Sequence, residues 1–191
     1  MAKAVLISIR PEWVKKILTG EKTLEVRKTR PKLEAPFKVY IYCTAGNLSY
    51  EVNNGMMCNI SGGKLVAGEF VCDKIDCVDI PYPAFMKKLD KHWTEDSCCT
   101  YYQLHRYFYH DRAYFWHISE LKTYSTPKKI EAFIPSCIFL DYGECYPASR
   151  LLCKEQRRDY NPDGSINVAL CGRRCKRPPQ SWYYVEELEH E

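Results

Sequence analysis

The stretch that decides the fold is Gly20-Glu21-Lys22-Thr23-Leu24-Glu25-Val26-Arg27. From Lys22 to Thr29 polar and apolar residues alternate, so Leu24 and Val26 face one way while Glu25 and Arg27 face the other. That pattern predicts a half-buried strand with a charged face. Upstream, Pro11 stands where a helix accepts its first residue, and Gly20 stands just past a helix end. Between them Trp13, Val14, Ile17 and Leu18 make a one-sided apolar stripe, the mark of a helix of two to three turns. Before Pro11, the run Ala4–Ile9 reads as a short apolar strand. The opening of the chain is therefore strand, helix, strand, with Lys22 at the elbow.

Working outward, Phe37–Thr44 reads as a strand with Val39, Ile41 and Cys43 on one face and Tyr40 and Tyr42 on the other. Residues 45–63, rich in Gly, Asn and Ser, read as a loop. Lys64–Ile80 is a long strand-like run in which Gly68 marks a bulge or a close backbone approach. Helical stretches are expected at Ala84–Leu89 and Thr100–Tyr109, a strand at Ala113–Tyr124 stopped by Pro127, and a closing strand at Ser181–Leu188. The expected fold class is α+β, mainly β: a small antiparallel β-barrel with flanking helices. We divide the chain into a barrel over residues 3–134, a basic Cys-rich insertion over 135–180 and the closing strand over 181–188.

The chain has 191 residues, 46% hydrophobic and 27% charged, which suits a single packed domain and excludes wholesale disorder. It has no apolar run long enough to span a bilayer and no secretory-type start, so a cytoplasmic protein without a membrane partner is expected. The net charge of +4 is unevenly spread. Arg10–Lys32 carries eight basic residues against three acidic, and Cys145–Pro179 repeats that ratio. Such segregation favours a polyanionic partner, although a solvated charged face has the same composition.

Eleven cysteines without a secretory context argue against a disulfide framework. Cys72 and Cys77 read as small buried hydrophobes. Cys145, Cys153, Cys171 and Cys175, with Cys137 as a competitor, have the donors for a structural zinc that would staple the insertion; reduced free thiols are the alternative. No Ser-His-Asp pattern, phosphate-binding loop or dinucleotide fingerprint occurs, and His92, His105, His110 and His117 read as structural histidines.

The spacing G-x-K-x-x-E-x-R in Gly20–Arg27, placed between a strand–helix unit and Lys28-Thr29-Arg30-Pro31, resembles the ASCH domain, a PUA-like β-barrel superfamily. Gly63–Ile75 and Tyr114–Ile130 are similar to later strands of that family, and the overall look is of bacterial and phage-borne members. The resemblance covers residues 3–134 and the final strand, and implies binding of RNA or another single-stranded nucleic acid in a basic cleft. The residues expected there are Arg10, Lys22, Glu25, Arg27, Lys28, Tyr42, Glu69 and Trp116. Glu25 and Arg27, two apart on one face, would hold each other in fixed rotamers and preorganise the guanidinium. Tyr40, Tyr42, Tyr114 and Trp116 are candidate surfaces for stacking bases.

Two other functions stay open. Some small ASCH-type proteins are amidohydrolases acting on N4-acetylcytidine with a lysine, a threonine and a glutamate. Lys22 matches that lysine and would be catalytic, but Glu25 occupies the threonine position. A protein-interaction adaptor is the third class.

Overall fold

The computed structural model describes residues 2–52, 55–78, 90–108, 112–136, 175 and 177–188. The opening unit is β1 (Lys3–Ile9), α1 (Pro11–Leu18) and β2 (Leu24–Arg27). There follow β3 (Phe37–Cys43), β4 (Leu48–Val52), β5 (Met56–Ile60) and β6 (Leu65–Val78). Two short helices, α2 (Lys91–Asp96) and α3 (Tyr101–Phe108), precede β7 (Ala113–Lys129), a 3-10 turn at Ile130–Ala132 and β8 (Trp182–Glu186).

Six strands form one sheet in the order β2-β7-β6-β3-β1-β8, and β4 pairs with β5 alone. The mainly-β, α+β fold with flanking helices and mostly antiparallel strands is as expected from sequence, with two particulars that the sequence reading did not contain. First, β1 and β3 are parallel, Val5 lying opposite Val39 and Ile9 opposite Cys43. The cause is β2, which leaves β1 through α1 and pairs with β7 at the far edge, so that β3 returns alongside β1 in the same direction. Second, among the described residues the edge strands β2 and β8 share no backbone ladder. Side chains join this seam instead: Trp182 Nε1 donates to Thr29 Oγ1 at 3.0 Å, and the Lys32 amide donates to Tyr184 Oη at 2.7 Å.

The alternation read from sequence sorts β3 correctly, and β1, read only as an apolar strand, divides its residues between the same two layers. Val5, Ile7, Ile9, Val39 and Ile41 pack with Val14 and Ile17 of α1, Phe70 and Trp116 in the main core. Ala4, Leu6, Tyr40 and Tyr42 join Val66, Tyr124, Ile130, Phe133 and Val185 on the opposite face. A third cluster seats Leu104 and Phe108 of α3 against Leu24, Val26, Ala113 and Phe115. Gly68 is a point of close approach, as expected. A Cβ there would lie 2.6 Å from the Lys122 carbonyl oxygen, and the β6–β7 register shifts between Val66 and Gly68.

Residues 45–63 are not simply a loop. Leu48 and Tyr50 on β4 and Ile60 on β5 bury themselves in the main core, and Tyr50 Oη donates to the Tyr124 carbonyl at 3.1 Å. The small polar residues between them conceal the apolar alternation. Nor does Pro127 stop β7, which runs to Lys129. Pro127 falls between the pairs Gly68–Thr123 and Val66–Lys128, where the β6–β7 register shifts, so its missing N–H leaves none of the described ladder pairs broken. Cys72 is buried, but Cys77 is exposed.

The helix expected at Ala84–Leu89 lies outside the described residues, as do Cys145, Cys153 and Cys171. Cys175 is buried in the second cluster, its amide donating to the Phe133 carbonyl at 2.9 Å. No group of three or more His, Cys, Asp or Glu side chains is placed to hold a metal among the described residues. No described helix is long and apolar enough to cross a membrane.

Candidate functional site

The elbow between α1 and β2 is built by backbone bonds. Gly20 takes φ +77°, a left-handed conformation that glycine adopts without strain. The Lys22 amide then donates back to the Lys16 carbonyl at 2.9 Å, and the Thr23 amide to Asp96 at the end of α2. This geometry turns the Lys22 side chain inward, leaving it only 2% exposed. Its ammonium donates to the Leu24 carbonyl at 2.7 Å and the Ser97 carbonyl at 2.8 Å, and lies 3.5 Å from Glu25 Oε2. Lys22 therefore pins the α2–α3 segment to the start of β2.

Glu25 and Arg27 pair as expected, Oε1 to Nη2 at 2.9 Å, and both are buried. Nη2 of Arg27 also donates to the Ser8 carbonyl at 2.7 Å, while Nη1 reaches Ser181 Oγ at 3.4 Å. Its Nε has no partner among the described residues. Ser8 in turn donates through Oγ to the Pro179 carbonyl at 2.7 Å and through its amide to the Ser181 carbonyl at 2.9 Å. Residues 178–181 are thereby strapped across the ends of β1 and β2.

Beside this constellation lies a cleft of about 620 Å³, within the size range of small-ligand sites. Ser8, Arg10 and Trp13 line it from β1 and α1; Lys22, Glu25 and Arg27 from β2 and its elbow; Tyr42, Thr44 and Lys64 from the ends of β3 and β6. Gln103, Leu104 and Tyr107 of α3 and the strap Pro178–Gln180 complete the wall. Four cations, Arg10, Lys22, Arg27 and Lys64, face two carboxylates, Glu12 and Glu25. Glu25 is shared by Lys22 and Arg27, so that buried triad keeps one positive charge, while Arg10 and Lys64, both exposed, outnumber Glu12 by one.

Of the residues expected from sequence, Arg10, Lys22, Glu25, Arg27 and Tyr42 meet at the cleft. Tyr42 is almost wholly buried, which pushes its phenol upward and leaves too little of its ring exposed to stack on a base. Lys28 is exposed next to the cleft, its ammonium 5.5 Å from the centre of the Tyr107 ring.

Two expectations need correcting. Trp116 is a core residue, fully buried against Phe37 with ring centres 5.9 Å apart, because the face of β7 it shares with Glu25 turns into the main core. Glu69 does not line the cleft. It accepts a hydrogen bond from Tyr124 Oη and lies 3.8 Å from Lys38 Nζ, within the second cluster's surroundings. Tyr40 is likewise buried, its Oη accepting the Leu188 amide at 2.8 Å, and Tyr114 packs against the main core.

Lys64, Gln103, Tyr107 and the Pro178–Gln180 strap went unread in the sequence. Each comes from a segment far from β2 and carries no spacing signal of its own. As for amidase chemistry, the Lys22 ammonium is committed to two carbonyls and a carboxylate, and Thr23 is exposed outside the cleft. Of the hydroxyls that do line it, Ser8 Oγ is already donating to Pro179.

No family model matches the chain, and no curated protein does. Among solved structures it is similar to the ASCH protein of Zymomonas mobilis. A serine-to-alanine variant of that protein is 16% identical and is matched over 96% of this chain and 89% of that one, with a TM-score of 0.54. The protein itself matches at 16% identity over 96% and 88% of the two chains, with a TM-score of 0.49. A tyrosine-to-phenylalanine variant matches at 19% identity over 68% and 77%, with a TM-score of 0.48. The match to the serine-to-alanine variant shows the fold: this chain has the architecture of an ASCH domain, as Gly20–Arg27 implies.

Proposed function

We propose that this protein binds RNA, or another single-stranded nucleic acid, in the cleft beside Arg27. One observation carries the reading: Arg27 is locked by Glu25 and Ser8 at the cleft, while Arg10 and Lys64 stand exposed on its walls. A fixed guanidinium makes planar contacts with a base or phosphate at little entropic cost, and the exposed cations supply attraction for the phosphate chain. The ASCH architecture supports the reading, since the resemblance read in the sequence implies the same class of ligand.

The test is fluorescence anisotropy with a labelled single-stranded RNA across a salt series. Binding should weaken with salt by about 0.7 unit of log K per log unit for each phosphate contact. An Arg10→Ala/Lys64→Asn double variant should bind less tightly and with a shallower salt slope. Asn suits position 64 because the residue has φ +66°. Affinity indifferent to salt, or unchanged in the double variant, would overturn the proposal. Turnover of N4-acetylcytidine would point to the amidohydrolase class instead.

A further inference from the structure

Every strand aromatic that the sequence offered as a stacking surface is buried or packed against the core, yet among the described residues the cleft has one exposed ring. Tyr107 of α3 lines it and is 42% exposed. Of the other aromatics on the cleft wall, Tyr42 is almost wholly buried, and Trp13 is half-buried against the main core with two ammonium groups, those of Lys22 and Lys16, near its ring where Tyr107 has one.

The position of Tyr107 is fixed by its helix. Leu104 and Phe108, four apart, are fully buried against Phe115 and β2. Tyr107, one residue from Phe108, therefore turns to the neighbouring face together with Gln103, four residues before it, and both reach the cleft. The helix start is held in turn, because the Ser97 carbonyl just before it receives the Lys22 ammonium. The result is an exposed aromatic ring on the wall of the cleft that Arg27 also lines, with the Lys28 ammonium 5.5 Å from the ring centre. A flat ring with a cation beside it suits an unpaired base whose flanking phosphate needs a counter-charge. A base held in a duplex has both faces occupied and has none to offer.

We infer that Tyr107 is the base-stacking residue of this cleft, and that its ligand is an unpaired nucleotide in a single strand. This rests on the nucleic-acid reading above. It adds that recognition includes the face of a base as well as the phosphate chain.

The experiment compares binding of a labelled oligoadenylate RNA with that of a labelled abasic ribose-phosphate chain of equal length. Tyr107→Ala should weaken oligoadenylate binding about tenfold to a hundredfold, with the salt slope unchanged because stacking releases no counterions. Tyr107→Phe, which keeps the ring, should restore the lost affinity. Tyr102→Ala, on the same helix but outside the cleft, controls for effects on α3. On the abasic chain, wild type and Tyr107→Ala should bind alike. If Tyr107→Ala binds oligoadenylate as well as wild type while Arg10→Ala/Lys64→Asn does not, the inference falls and the proposed function stands. If wild type binds oligoadenylate no better than the abasic chain, the inference also falls. Failure of the wild type to bind either probe at low salt overturns both.

Discussion

Arg27 Nη2 donates to the main-chain carbonyl of Ser8 at 2.7 Å, joining β2 to β1 on the side where, among the described residues, the edge strands β2 and β8 share no ladder. The same guanidinium reaches Ser181, and Ser8 holds Pro179. One arginine thus links the first strand, the second strand and the segment entering the last. What brings the sheet's open side together is also what forms the cleft.

That arrangement makes Glu25 the keystone of a buried charge triad. Removing its carboxylate strands two buried cations, Lys22 and Arg27. Glu25→Gln should cost about 3–5 kcal/mol, the usual loss when one partner of a buried pair is removed. The double variant Glu25→Gln/Arg27→Met should lose less than the sum of its singles. Urea unfolding of the four proteins measures both quantities.

Gly68 tests the close approach of β6 and β7. An added Cβ meets the Lys122 carbonyl at 2.6 Å and Leu18 Cδ2 at 3.1 Å. Backbone on one side and a core side chain on the other leave little room to yield, so Gly68→Ala should destabilise by about 1–3 kcal/mol. A melting curve that does not move would show that the strands part more easily than their spacing implies.

The long β6–β7 arm carries a pH-dependent contact. Asp76 lies 2.6 Å from His117 Nε2 and 2.8 Å from Lys74 Nζ. Burial pushes its carboxyl up, but the hydrogen bonds and charges of Lys74 and His117 outweigh this and hold it below the ordinary value. A carboxyl with a lower value in the folded chain stabilises above its unfolded value, about 3.9, and loses that contribution as pH falls through the folded one. Asp76→Asn should therefore flatten the dependence of stability on pH below about 4, measured by urea midpoints at successive pH values.

Thiol reactivity should follow burial. Burial alone raises Cys43 to about 11, and burial raises Cys72 to about 12 against the opposing effect of backbone hydrogen bonds at Lys74 and His117. Neither is a thiolate at neutral pH, whereas Cys77 is exposed. Brief iodoacetamide treatment read by peptide mass spectrometry should label Cys77 and leave Cys43 and Cys72 untouched until denaturant is added. Labelling of Cys72 in the native protein would mean that β6 opens locally.

The strand–helix–strand opening, the two faces of β3, the partnership of Glu25 with Arg27 and the tight spot at Gly68 were all legible in the sequence. Each depends on contacts within a few residues or on the two-residue period of a strand, which a local pattern records. Whether a strand face meets water or another layer is a different matter. Trp116 and Tyr40 alternate just as surface aromatics would, and only the packing of the main core and second cluster buries them. The hairpin of β4 and β5 was hidden for the same reason, because Tyr50 earns its place through Tyr124, far along the chain. The cleft itself was decided by tertiary structure: its basic floor is local to β2, but Tyr107 and Pro178–Gln180 arrive from segments that α3 packing and the Ser8 and Arg27 bonds bring together. A one-dimensional pattern fixes which side chains share a face, and only the folding of distant segments against that face determines what it encloses.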